Sequence, residues 1–189
     1  MVTMALGIRT VEWWSVRKRL ADLAILLEIV APGPGIRLLD LGGGAGAATE
    51  RFARGCSEIV ILDPSAKKVA YGRRRRPAIQ FFEGRAQAIP YLDGSFDRVT
   101  AVVSFHHMED PDRVLAEVRR VLREGGRFVL MELPPSHAPG ALFHWFAARR
   151  GDHLSFSNPD ELKQKLEAHG FRDISTTQGS RGFFVAGTR

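Results

Sequence analysis

Gly42, Gly43, Gly44 and Gly46 crowd one short stretch, "LLDLGGGAGAATERFA", directly after an apolar run, and Asp40 stands two residues before the first of them. Glycine weakens strands and helices, so a cluster at a junction marks a backbone that bends sharply or approaches something closely. The helix that follows offers its N-terminal amide groups to a ligand. Asp63 ends the next apolar run, about 20 residues on, where a carboxylate accepts hydrogen bonds from both hydroxyls of a ribose. Together these residues point to an adenosine-containing ligand. The pattern does not choose among such ligands, because Gly42-x-Gly44-x-x-Ala47 also fits the dinucleotide fingerprint.

Chemistry beyond binding needs a group that moves protons. His106 and His107 stand in "SFHHMED", after a further apolar run. Either is a candidate general base, and the other is expected to pack or to satisfy a backbone carbonyl. The six histidines show no metal-site spacing, so no metal is expected. The single cysteine, Cys56, allows neither a disulfide framework nor a cysteine cluster.

The elements that must position these residues follow from periodicity and punctuation. Trp13, Val16, Leu20, Leu23, Leu27 and Val30 recur at helical steps, between Thr10 as a cap and the breaker "APGPG". "IRLLDLG" and "EIVILD" read as buried strands, and "AIQFFEG", "RVTAVVSF" and "GRFVLMEL" as three further strands. Between them lie helices: "AATERFARG" closed by Gly55, "SAKKVAYG" capped by Ser65, and one opened by Asp110 and Pro111 and closed by Gly125. Asn158, with Glu161 three residues on, opens a last helix that Gly170 ends. "FRDISTTQ" and "GFFVAGT" then follow each other without a helix, so at least one is expected to be antiparallel. Alternating strands and helices imply parallel strands with crossovers, hence an open α/β sheet with helices on both faces. Ligands bind such sheets beyond the carboxyl ends of the strands. The glycine loop, Asp63, "EGRAQ" and "SFHHMED" therefore share one rim.

Composition bounds the reading. A chain of 189 residues, 44% hydrophobic and 25% charged, fits one soluble domain spanning 1–189. No apolar run approaches the roughly 20 residues that cross a bilayer, and the N-terminus lacks the order of a signal peptide, so a cytoplasmic location is expected. The net charge is +6 and the pI about 10.1. The most basic run, Arg73 to Arg76, is expected to be a solvated helix end before Pro77. No aromatic residues interleave with it as a stacking platform would need, so nucleic acid is not the favoured partner. Trp13, Trp14, Phe143, Trp145 and Phe146 fall outside the α/β repeat. Residues 1–33 and 134–157 are the material from which a lid over a site would be built.

The chain resembles the class I S-adenosylmethionine-dependent methyltransferases, in particular the ubiquinone/menaquinone-biosynthesis (methyltransferase type 11) branch. "LLDLGGGAG" resembles that family's first motif and "ILDPS" its ribose-binding segment. "AQAIPYLDGSFDRVTAVVSFHHMEDPDRVLAEVRRVLREGGRFVLME" follows its central block, and "SNPDELKQKLEAHGF" its penultimate helix. The resemblance implies a Rossmann-like sheet of seven strands with the last inserted antiparallel. It implies S-adenosylmethionine as cofactor, S-adenosylhomocysteine as product and a small-molecule methyl acceptor. Asp40, Gly42, Gly43, Gly44 and Gly46 would hold the methionine end, Asp63 the ribose and Pro64 the adenine face. Gly84, Arg85 and Ala86 would run along the adenine edge, and Ser104 beside the methionyl part. "GDHLSF", with His153, lies where the family often builds its acceptor pocket; His144 carries no distinct signal. There is no Asn-Pro-Pro-aromatic tetrapeptide of the amine and base N-methyltransferases, which favours a carbon or oxygen acceptor. Arg85 departs from the family, which usually has an acidic residue there. A guanidinium only donates hydrogen bonds, so Arg85 is expected to turn from the base toward a carboxylate such as Glu83 or Asp63, leaving Gln87 or a carbonyl to meet the adenine amine. The competing readings are an RNA methyltransferase, an NAD-binding oxidoreductase and a non-catalytic S-adenosylmethionine-binding protein.

Overall fold

The computed structural model describes residues 20–134 and 157–189. Helix α1 (Leu20–Val30) leads into β1 (Arg37–Leu41), the short α2 (Thr49–Phe52), β2 (Glu58–Asp63), α3 (Ala66–Arg75) and β3 (Gln80–Glu83). Then come β4 (Phe96–Val102), a single 3-10 turn (Phe105–His107), α4 (Pro111–Val121), β5 (Leu122–Glu132), α5 (Pro159–Ala168), β6 (Arg172–Gln178) and β7 (Phe183–Thr188). The seven strands form one sheet in the order β3-β2-β1-β4-β5-β7-β6. Strands β1 to β5 pair in parallel, and β7 runs antiparallel between β5 and β6. This is the expected open α/β sheet with its last strand inserted antiparallel.

Both faces of the sheet's centre are covered, which is why β1, β2, β4, β5 and β7 read as largely apolar runs, while the edge strands β3 and β6 are mostly exposed. Leu39, Leu41, Val99, Phe128 and Leu130 point toward α4 and α5, where Val114, Leu115, Val118, Leu162 and Leu166 meet them. On the other face Leu38, Val129, Met131 and Phe184 pack with Leu26 and Val30 of α1 and Phe52 of α2. Ile61 and Phe81 pack against Val69 of α3. Helix α1 is fastened at both ends: Asp22 accepts from the Ser180 amide at 2.6 Å, and the Val30 carbonyl accepts from Arg98 at 2.7 Å.

Several boundaries differ from the sequence expectation. The helix after Asp110 ends at Val121, not near Gly125, because Leu122 is drawn into the core and pairs with Phe96. Arg123 then joins the buried Asp97 at 2.6 Å, and Gly125 makes the turn at φ +72° inside the extended segment. Strand β4 stops at Val102, because Val103 takes a left-handed φ of +52°. Helix α3 continues past Gly72 to Arg75, and the arginine run is not wholly solvated. Arg73 donates to the Phe81 carbonyl at 3.0 and 2.6 Å, and Arg76 donates to the Ala45 carbonyl at 2.8 Å. The cap at Thr10, the aromatic groups at Trp13, Trp14, Phe143, Trp145 and Phe146, and both His144 and His153 lie outside the described residues. So do most of the candidate lid segments.

Gly72 shows why α3 does not end there. A Cβ at Gly72 would meet the edge of the buried Phe81 ring closer than side chains approach one another. Alanine normally gains about 1 kcal/mol over glycine inside a helix, but overpacking a core costs about 1–3 kcal/mol. Gly72→Ala is therefore expected to lower the midpoint of urea unfolding. A raised midpoint would mean that the ring moves aside freely.

Candidate functional site

The chain leaves β1 toward β2 on one side and has β4 as neighbour on the other. A crevice opens at such a reversal of strand order, beyond the carboxyl ends of the strands. The structure has a cleft of about 480 Å³ at this point, within the roughly 300–1,000 Å³ of small-molecule sites. Of the residues singled out from sequence, Gly42, Asp63, Pro64, Ser65, Gly84, Arg85, Ala86, Gln87, Ser104 and His107 line it.

At Gly42, Gly43 and Gly46 the glycine loop has no room for a side chain. Gly42 sits at φ +70°, and a Cβ there would lie 2.6 Å from the Ser104 Cβ. A Cβ on Gly43 would lie 2.5 Å from an Asp40 oxygen, and one on Gly46 2.9 Å from the Phe81 ring. Gly44 (φ +62°) donates its amide to Asp63 Oδ2 at 2.9 Å, while Asp63 Oδ1 accepts from the Ser65 amide at 2.9 Å. One carboxylate thus joins the loop after β1 to the start of α3. Ser65 also caps that helix, accepting from the Lys68 amide. Arg76 braces the loop from behind through the Ala45 carbonyl and through Glu50 at 3.1 Å. Gly43 and Gly46 thereby shape the loop from inside the fold.

Asp40 lies behind the loop, 1% exposed. Its oxygens accept from the hydroxyls of Thr49 at 2.6 Å and Thr100 at 2.7 Å. Burial pushes its carboxyl up to about 6, the two hydroxyl bonds hold it lower, and the nearby Asp63 charge raises it further. Asp40 therefore backs the loop rather than forming the cleft surface.

The two histidines part company. His106 is buried, with Nδ1 2.6 Å from Glu132 Oε2. Glu132 Oε1 accepts from the Phe105 amide at 2.8 Å, so this carboxylate pins the 3-10 turn to the end of β5. His107 is exposed on the cleft wall, its ring 4.1 Å from that of His106. Just before them, Val103 donates to the Met131 carbonyl at 2.7 Å. A β-branched residue in the left-handed region is a genuine outlier, of the kind that collects at functional sites. Ser104 Oγ donates to the Leu41 carbonyl at 2.7 Å, fastening the turn to β1.

Arg85 does turn toward a carboxylate, but its partner is Glu109, at 2.8 Å, and not Glu83 or Asp63. Asp63 is already engaged by two amides, whereas Glu109 follows the 3-10 turn and reaches the cleft. Sequence reasoning missed Glu109, Met108, Lys68 and Val103 as cleft residues. Position after β4 was the signal for Met108 and Glu109; for Lys68 it was the first turn of α3.

Comparison with known proteins agrees with this geometry. A family model described as a methyltransferase domain matches residues 39–130. The chain is 30% identical over 179 residues to the demethylmenaquinone methyltransferase of Thermotoga maritima, covering 82% of this chain and 76% of that protein. It is 37% identical over 116 residues to that of Renibacterium salmoninarum, covering 61% and 49%. The chain spans about half the length of that relative and of the demethylmenaquinone methyltransferases of Beutenbergia cavernae and Paenarthrobacter aurescens. Among solved structures, the methyltransferase chain in complex with the Haloferax volcanii Trm112 methyltransferase activator superposes with a TM-score of 0.81. The overlap covers 98% and 96% of the two chains at 17% identity, a likeness of fold.

The raised carboxyl of Asp40 makes stability depend on pH. The folded state keeps its proton to about 6 and the unfolded state only to about 3.8. The contribution is therefore fully present below 3.8 and is lost as pH rises through 6. Asp40→Asn does not titrate. Its stability relative to the parent chain is expected to improve by about 2–3 kcal/mol between pH 4 and pH 7. Urea unfolding at the two pH values checks this, and a constant difference would contradict it.

Proposed function

We propose that this chain, which belongs to the methyltransferase-domain family of the demethylmenaquinone methyltransferases, binds S-adenosylmethionine in the cleft and methylates a small molecule at carbon or oxygen. The observation that carries the reading is the Asp63 clamp. A buried carboxylate at the end of β2 holds the glycine loop and remains on the cleft wall. Each of its oxygens has a second lone pair, so it accepts from ribose hydroxyls without releasing Gly44 or Ser65. The residues fit the group in a second way. At Gly42 the space a Cβ would fill is already taken, so the backbone itself forms the wall there.

When bound, the cofactor supplies a sulfonium methyl group, an electrophile that needs no further activation. What remains for the protein is alignment of an acceptor and exclusion of water. The wall beside Ser104 is set by the strained Val103 and by Glu132, which fixes the turn that His107 ends. His106 serves the turn through Glu132, not the cleft directly. The demethylmenaquinone methyltransferases, and a ubiquinone/menaquinone biosynthesis C-methyltransferase of Ruegeria sp. that is 35% identical over 115 residues, favour a quinone-type acceptor methylated at carbon.

Two measurements test this. S-adenosylhomocysteine is expected to raise the melting temperature through selective binding to the folded state, and NAD is not. A shift with NAD alone would overturn the reading. Asp63→Ala is expected to weaken S-adenosylhomocysteine binding by about 1.5–3 kcal/mol, the range for hydrogen bonds to a charged group. It should also lower stability, because the Gly44 and Ser65 amides lose their acceptor. Unchanged affinity by isothermal titration would leave Asp63 as a clamp for the loop alone.

A further inference from the structure

The ribose clamp leaves one polar wall of the cleft unused. The turn after β3 and the turn after β4 meet there, joined by two bonds, and a third ties the first turn to α4. Arg85 Nη1 lies 2.8 Å from Glu109 Oε2, the Gln87 side-chain amide donates to the Glu109 carbonyl, and Arg113 Nε donates to the Gln87 carbonyl at 3.0 Å. Arg85 and Glu109 both line the cleft and are 66% and 45% exposed. An exposed ion pair contributes little to stability. The bond from Gln87 to the Glu109 carbonyl, with Gln87 itself tied to Arg113, steadies the pair at the mouth.

The pair has a directional chemistry. A carboxylate only accepts hydrogen bonds, and a guanidinium only donates them. A ligand edge that sets a donor beside an acceptor matches the pair. The exocyclic amine of adenine, next to a ring nitrogen, is such an edge. The surrounding wall suits a flat ring: Leu62 and Ala86 are buried apolar residues, and Met108 is a partly buried one. An anionic ligand part would meet the Glu109 carboxylate instead, which speaks against a phosphate at this wall.

We infer that the Arg85–Glu109 pair reads the base: Glu109 accepts from the adenine amine, and Arg85 donates to the neighbouring ring nitrogen. The inference rests on the proposed binding of S-adenosylmethionine. It assigns recognition of the amine to the turn after β4 instead of the turn after β3. Gln87 then holds Glu109 in place rather than meeting the base itself.

The test is isothermal titration of the full chain and three variants, Glu109→Gln, Glu109→Ala and Arg85→Ala. The ligands are S-adenosylhomocysteine and its 6-desamino (purine) analogue. The parent chain is expected to prefer the amino form by about tenfold, near one hydrogen bond in a charged setting. Glu109→Ala should bind the two ligands equally, and Glu109→Gln, whose side-chain carbonyl still accepts but carries no charge, should keep only a reduced preference. Arg85→Ala should weaken both ligands while keeping the preference for the amine, since the carboxylate remains. If the Glu109 variants keep the full preference, the amine is read elsewhere and the inference is wrong. If Arg85→Ala erases the preference as completely as Glu109→Ala, the linkage of the two turns is responsible and the assignment to the carboxylate fails. If the parent chain binds neither ligand, the proposed cofactor itself is wrong, and the inference falls with it. Melting temperatures of the variants, at exposed positions, are expected to stay within a few degrees of the parent.

Discussion

Asp63 holds two backbone amides at once, one from the glycine loop and one from the start of α3, and the shape of the cleft follows from that clamp. The loop has no side chains with which to fix itself. Three of its glycines sit in left-handed conformations, and at Gly42, Gly43 and Gly46 the space a Cβ would occupy is already filled. Order is therefore imposed from outside. Asp63 pulls the loop from β2, Asp40 supports it from beneath, and Arg76 grips its carbonyl from the end of α3. The sheet supplies the precision, because Asp40, one residue before the end of β1, and Asp63, the last residue of β2, sit on strands in register with their neighbours.

The other wall is built on the same plan, with carboxylates tying loops to strand ends. Glu132 closes β5 and accepts the Phe105 amide and the His106 ring, both in the turn after β4. The chain reaches that turn through a valine at φ +52°. A left-handed valine costs on the order of 1–2 kcal/mol, and it persists because the Met131 carbonyl and the Glu132 carboxylate determine the backbone on both sides. Two buried carboxylates from different strands thus set the two walls. The exposed side chains of Arg85, His107 and Glu109 line the cleft between them.

Much of this was legible in the sequence for physical reasons. Strands buried on both faces read as continuous apolar runs, and Ser65 and Asn158 announce their helices through side-chain caps seen in the structure. The glycine cluster and Asp63 were legible because few other demands place those residues at two successive strand ends. Illegible were choices made by partners distant in the chain. Neighbouring histidines look alike until Glu132, 26 residues on, takes His106 and leaves His107 at the surface. Arg85 finds Glu109 across 24 residues, beyond the carboxylates nearest to it in the sequence. The arginine run reads as a solvated end, yet two of its members dock onto carbonyls that only tertiary packing brings near.

The central claim is that the ligand sits against the Asp63 clamp at the carboxyl ends of β1, β2 and β4. Titrating S-adenosylhomocysteine into the nitrogen-15-labelled chain and following backbone amide resonances tests it directly. The account predicts shifts concentrated at Gly42, Gly44, Ser65, Ala86 and Ser104, with Asp97 and Arg127, at the opposite end of the sheet, unmoved. Shifts centred on that opposite end, or none at saturating ligand, would contradict it.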